Sequence, residues 1–119
     1  MKYGILAVST GVDEKINIGD YIQALASRQF LPRVDAYIER ETELSSYTGE
    51  PISIIMNGWY MNHPENWPPA TNINPLFIAL HINRCSLPSF LNSSSINYLK
   101  QYEPIGCRDT NSVKLLKSK

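Results

Sequence analysis

Two polar residues at the start of an apolar helix raise the first chemical question. In the stretch NIGDYIQALA, Asn17 and Asp20 stand three apart where helical periodicity begins, with Gly19 between them. Asn17 is a natural N-cap. Asp20 is placed to return a capping-box-like bond and to profit from the helix dipole. Such capping is worth about 1 kcal/mol. The same residues suit a ligand cleft, because Gly19 lets a ligand approach the backbone and a carboxylate can hold a sugar hydroxyl or take its proton. A bare phosphate would find Asp20 repulsive. Both roles are compatible, since a cap can also line a cleft.

Further candidates follow along the chain. Asn57, Gly58, Trp59 and Tyr60 come directly after a buried apolar run, where open α/β sheets bind ligands. An aromatic face stacks on the C–H side of a sugar ring, so Trp59 and Trp67 are acceptor contacts or else pins for a long loop. His63 lies beside Pro64 and reads as exposed. His81 ends a buried run and is either a satisfied half-buried imidazole or a general acid/base, with no partner carboxylate visible in the sequence. Arg108 precedes Asp109, a helix N-cap; its guanidinium binds a carboxylate or phosphate, or forms a salt bridge that positions the last helix.

Other chemistries lack their motifs. There is no GxGxxG, GxxxxGK[ST] or GxSxG. Ser9-Thr10-Gly11 follows the first apolar run where a flavin-phosphate loop would sit, but Asp13, Glu14 and Asp20 crowd it and only Lys15 opposes them. Cys85 and Cys107 form no CxxC, and neither histidine lies at metal-ligand spacing from them, so no metal site is expected.

The elements that must position these residues are legible from periodicity. Tyr3–Val8 reads as a buried first strand. Ile18, Ile22, Leu25 and Ala26 then share one face of a helix bound for the core, which Pro32 ends. Asp35–Arg40 reads as an outer strand, and Glu41–Tyr47 as a short helix or irregular crossover. Ile52–Met56 and Leu76–Ile82 are continuous apolar runs suited to a parallel sheet covered on both faces. Ser93-Ser94-Ser95 offers N-caps for a helix to about Tyr102. Pro104–Cys107 is a very short last strand, and Asp109 caps a final helix, Thr110–Lys119. Alternating strands and helices give a three-layer α/β domain over residues 1–119. The strand tips near residues 9, 57 and 83 are expected to gather on one rim.

One connection is unusual. Gly58–Pro75 holds four of the eight prolines, both tryptophans and four asparagines, without periodicity. Its aromatics and prolines predict an ordered surface loop. The chain's last residues, SVKLLKSK, lie inside an amphipathic helix with no glycine C-cap, which reads as a cut domain.

Bulk properties narrow the field. A chain of 119 residues, 43% hydrophobic, holds one core. Eleven basic and eleven acidic side chains cancel, leaving no global field for nucleic acid or an anionic membrane. No apolar run approaches the roughly 18 residues of a membrane span. The N-terminus lacks a small-residue cleavage site, so a reduced, cytoplasmic protein is expected.

Four separated pieces resemble one family. NIGDYIQALA, IIMNGWY, ENWPPATNINPLFIALHIN and PIGCRDTNSVKLLK match, in order and approximate spacing, the N-terminal half of the polysaccharide pyruvyl transferases. The resemblance implies a Rossmann-like domain that is one half of a two-domain, glycosyltransferase-like fold. It implies transfer of the pyruvyl group of phosphoenolpyruvate to two sugar hydroxyls in cell-surface polysaccharide synthesis, without metal or organic cofactor. The partners implied are phosphoenolpyruvate and a saccharide acceptor, and the residues that grip the donor belong to a second half, so this chain alone is expected to be inactive. Asp20 would activate the acceptor, His81 is the other acid/base candidate, and Asn17, Gly19, Asn57, Trp59, Tyr60 and Arg108 would bind substrate. The alternative is a non-catalytic α/β interaction domain whose uncovered apolar surface drives homo-oligomerisation.

Overall fold

The computed structural model describes residues 1–8, 17–60, 62–84 and 87–119. Strand β1 (Lys2–Ala7) leads to helix α1 (Ile18–Arg28), strand β2 (Ala36–Glu39) and strand β3 (Ile52–Met56). A 3-10 turn (Pro64–Asn66) precedes strand β4 (Ile73–Phe77), and helices α2 (Leu87–Phe90), α3 (Ser93–Gln101) and α4 (Thr110–Lys117) follow. The four strands form one all-parallel sheet in the order β2-β1-β3-β4, so β2 is the outer strand that its alternation predicted. The α/β class and the parallel sheet stand as expected.

One sheet face carries the main core. Leu6, Ile38, Ile52, Ile54, Met56, Ile73 and Phe77 point to it by strand alternation, and Phe90, Tyr98 and Leu99 of α2 and α3 close over them. Trp67 sits among the rings of Phe90, Tyr60, Tyr98 and Phe77, with centroids 4.6, 5.4, 5.8 and 6.1 Å away. Such ring pairs add to simple area burial. The expected surface loop is therefore corrected in its middle. Tyr60, Trp67 and Pro69 are buried, and Ala70 N–H donates to the Leu44 carbonyl at 2.8 Å.

The opposite face is thinner. Ile5 and Ile55 are buried there, outside the main cluster, and α1 packs on β1. Helix α1 reverses the expected orientation. Gln23, Ala24 and Ser27 lie inward, whereas Ile18, Ile22 and Leu25 are 71%, 58% and 59% exposed. Two groups fix this rotation. Asp20 reaches a buried arginine beyond β2, and Asn57 Nδ2 donates to the Gln23 carbonyl at 2.8 Å. Farther along this face Asn74 and Leu76 are exposed, so the sheet is not fully covered on both sides.

The strand expected at Leu76–Ile82 is shifted to Ile73–Phe77. Ala79 adopts φ 56°, a left-handed conformation costly for a residue with a Cβ, and this turns Leu80–Ile82 out of the β3 ladder. The sequence hid the true strand because Pro75 lies inside it. Ile52 N–H bonds Asn72 O and Ile78 N–H bonds Met56 O, so even-numbered β4 residues face β3 and the missing Pro75 N–H falls on the outer edge. Proline is tolerated there.

The predicted strand at Pro104–Cys107 reduces to one parallel bridge, Leu80 with Cys107. Gly106 permits it: a Cβ would lie 3.0 Å from the Phe77 carbonyl oxygen and 3.2 Å from Ile78 Cα. Glu41–Tyr47 is irregular turn, and Asn92, rather than a serine, caps α3 by accepting from Ser95 N–H. Asp109 caps α4 as expected. Among the described residues no helix is long and apolar enough to cross a membrane.

Candidate active site

A cleft of about 340 Å³ opens where chain segments leave the sheet. The start of α1 gives it Asn17, Gly19, Asp20 and Gln23. Trp59 comes from the segment after β3, His81 and Asn83 from the segment after β4, and Arg108 from just beyond the Cys107 bridge. Residues far apart in sequence thus gather on one rim, as expected for an open parallel sheet.

The N-terminus of α1 is built by its cap. Asn17 Oδ1 accepts the Gly19 N–H at 3.0 Å, and Asp20 N–H donates to Asn17 O at 3.1 Å. The expected return bond from Asp20 to the cap is replaced by a bidentate pair with Arg40, Nη1–Oδ1 2.9 Å and Nη2–Oδ2 3.3 Å. The Arg40 side chain is only 4% exposed, and its Nε also lies 3.2 Å from Glu41 Oε1. Glu41 in turn accepts from His63 N–H and Asn62 Nδ2, while its carbonyl accepts from Asn66 Nδ2. Burial pushes the Glu41 carboxyl above its ordinary range, against the pull of the His63 N–H and Arg40. This buried ionic cluster joins α1, the end of β2 and the long loop. Bound to Arg40 in this way, Asp20 positions the cleft wall.

His81 has the partner that the sequence did not reveal. Its Nδ1 lies 2.8 Å from Asp109 Oδ2. Asp109 also accepts the Ser112 N–H at Oδ1 and the Ser112 hydroxyl at Oδ2, both at 2.8 Å. Ser112 is fully buried, and its Oγ accepts the Ile82 N–H at 2.9 Å, which ties α4 to the residue after His81. The His81 hydrogen bond, then the Ser112 N–H and hydroxyl, hold the Asp109 carboxyl well below the usual carboxylate range. A carboxylate there accepts, so Nδ1 carries the proton and Nε2 is the basic nitrogen of the neutral ring. Among the described residues no group hydrogen-bonds Nε2. Chemically, a paired imidazole bordering a cleft can take up or release a proton at a bound group.

The remaining candidates divide. Trp59 lines the cleft. Its indole N–H is buried without a protein acceptor among the described residues. Arg108 is exposed on the cleft, and its backbone N–H donates to the Leu80 carbonyl at 2.9 Å, which sets it beside His81. The salt bridge that would make Arg108 a mere anchor for α4 is absent among the described residues. Asn57 lies behind the cleft as the tie to α1. Tyr60 and Trp67 are in the core, where Tyr60 is only 2% exposed and burial pushes its hydroxyl far above the ordinary tyrosine value. For these two aromatics the pinning role fits their position and an acceptor contact does not.

Sequence reasoning named Asp109 only as a cap and did not single out Arg40, Glu41, Gln23, Asn83 or Ser112. The D-x-x-S spacing of Asp109 and Ser112 was readable as a cap, but its link to His81 depends on the Leu80–Cys107 register. A larger groove of about 540 Å³ is lined mainly by Pro104, Ile105, Val113 and Leu116, and its Glu103 and Lys117 form no ion pair with each other among the described residues. Burial raises the Cys107 thiol at its margin, which suppresses thiolate chemistry. No three His, Cys, Asp or Glu side chains converge as metal ligands among the described residues. The Ser9-Thr10-Gly11 phosphate-loop candidate, with Asp13, Glu14 and Lys15, lies outside the described residues, as does Cys85. The chain matches no protein-family model, no curated protein and no solved structure.

Proposed function

We propose that the cleft receives a saccharide and that the chain is a Rossmann-like, acceptor-binding half of a polysaccharide pyruvyl transferase-like protein. The observation that carries this reading is the 2.8 Å His81–Asp109 pair on a cleft walled by Trp59 and the NxGD helix start. His81 Nε2 takes the proton of one sugar hydroxyl, whose oxygen attacks C2 of phosphoenolpyruvate as C3 gains a proton. Phosphate leaves, and a second hydroxyl closes the ketal. Of the two hydroxyl protons, one is balanced by the new methyl group and the other leaves with phosphate. Asp20 and Arg40 hold the wall, and Trp59 stacks on the ring. Groups outside this chain grip phosphoenolpyruvate, as the motif likeness implies.

The two histidines make the test direct. Imidazole and indole resonances are followed while monosaccharides are added to about 10 mM, ample for a millimolar Kd. Shifts at His81 and Trp59, with His63 unmoved, are expected. If every sugar leaves both silent, saccharide binding is rejected.

A second reading rests on the outward apolar stripe of α1. As an interaction domain, the chain would pair α1 with α1 of a second copy, antiparallel about Tyr21 and Ile22. Ile18, Tyr21, Ile22, Leu25 and the neighbouring Phe30 are all exposed, on the order of 600 Å² together, near the ~800 Å² per partner of a standard interface. Zero formal net charge means that copies do not repel. Sedimentation should reveal a concentration-dependent dimer that Ile22→Glu abolishes; a monomer throughout the range rules the pairing out.

A further inference from the structure

Among the described residues, the ionisable side chains that line the cleft are Asp20, His81 and Arg108. Asp20 is matched by Arg40 and His81 by Asp109. Arg108 has no oppositely charged partner among the described residues. Its position is nonetheless fixed by the chain, since its N–H bonds Leu80 O on one side of the bridge and Asp109 caps α4 on the other. A guanidinium presents paired donors in a planar fork that matches a carboxylate or phosphate.

We propose that Arg108 selects an anionic group on the sugar, so that the cleft takes a saccharide bearing a phosphate or carboxylate. This rests on the saccharide reading above and adds a requirement to it. The size is consistent: about 340 Å³ lies near the lower end of ligand clefts, room for one sugar ring with its substituent. Asp20 restricts which anions fit. Its charge is offset by Arg40 at 2.9 Å, yet the carboxylate still borders the cleft, so a bare phosphate gains one cation and meets one anion. A sugar phosphate or uronate places its anion at Arg108 and its hydroxyls at Asp20, Asn17 and His81. Arg108 thereby distinguishes substrates, while His81 handles the proton.

Calorimetry with matched pairs separates the possibilities. Glucose, galactose and mannose are compared with their 6-phosphates and uronates, with inorganic phosphate and phosphoenolpyruvate as anion controls. On the wild-type chain the anionic sugars should bind about tenfold more tightly than their neutral parents, the size of one exposed charge-assisted contact. Arg108→Gln should erase that preference, and Arg108→Lys should keep part of it, because charge survives but the fork does not. Equal binding of neutral and anionic sugars overturns the Arg108 assignment while leaving the saccharide reading standing. So does a preference that survives Arg108→Gln. Inorganic phosphate or phosphoenolpyruvate binding as tightly as the sugar phosphates also overturns it, since the site would then read a free anion. If no sugar of either kind binds, the saccharide reading falls together with this one.

Discussion

The two faces of the sheet are held by different physics. On one, Trp67, Phe77, Phe90 and Tyr98 interlock, and Tyr60 and Trp67 draw the long segment between β3 and β4 into the core. On the other, α1 is seated by directional bonds, Asp20 to Arg40 and Asn57 to Gln23, while its apolar stripe faces solvent. Apolar packing is non-directional and fixes how much is buried. Ion pairs and hydrogen bonds fix which way an element points. Here they turn α1 so that its capped end walls the cleft, leaving Ile18, Ile22 and Leu25 outside.

That contrast can be broken first at its strongest point. Trp67→Ala should cost about 3–5 kcal/mol in denaturant unfolding, whereas Ile22→Ala should stay within about 0.5 kcal/mol. Comparable losses would mean that both faces are packed alike. Next, Arg40→Leu strands two carboxylates, and removing one partner of a buried pair costs about 3 kcal/mol. The same substitution should perturb the Trp59 and His81 resonances, because α1 loses its anchor. A silent cleft would separate the ionic cluster from the site.

A smaller effect relieves strain. Ala79→Gly should raise stability by roughly 0.5–1 kcal/mol, since glycine accepts the left-handed φ that the β4 exit demands. No gain would mean that the φ costs little there.

The smallest effects concern pH, and they have opposite signs at the two carboxyls. Asp109 is lowered in the folded chain, so its contribution is full above the ordinary aspartate value near about 3.9 and is lost as pH falls towards the folded value. Glu41 is raised by burial, so its contribution is full below the ordinary glutamate value near about 4.3 and is lost as pH rises through the folded value. Asp109→Asn should flatten the acid limb of stability against pH, and Glu41→Gln the limb above it. Identical profiles for the two variants would contradict these environments.

Much of the fold was legible because local signals and tertiary outcome agreed. Ile52–Met56 is a strand because an isoleucine-rich apolar run fits a parallel sheet, and Asp109 caps α4 because its carboxylate satisfies a backbone N–H that would otherwise lack a partner. Legibility failed where two local rules conflicted. Pro75 argued against a strand that only its outward-facing nitrogen permits. The apolar stripe of α1 argued for an inward face that Arg40 overruled. The site was half readable: Asn17, Gly19, Asp20, Trp59, His81 and Arg108 all line the cleft, but their roles were not spelled out in their types.

The sequence by itself determined the α/β class, the parallel sheet, the Asn17 and Asp109 caps and several of the residues at the rim, because periodicity and capping act over a few neighbouring residues. Only the tertiary structure decided that Asp20 is bound to Arg40, that Trp67 is core, and that His81 is hydrogen-bonded to Asp109. Those outcomes depend on register between segments 20 or more residues apart. A hydrogen bond 28 residues long in sequence leaves no local trace.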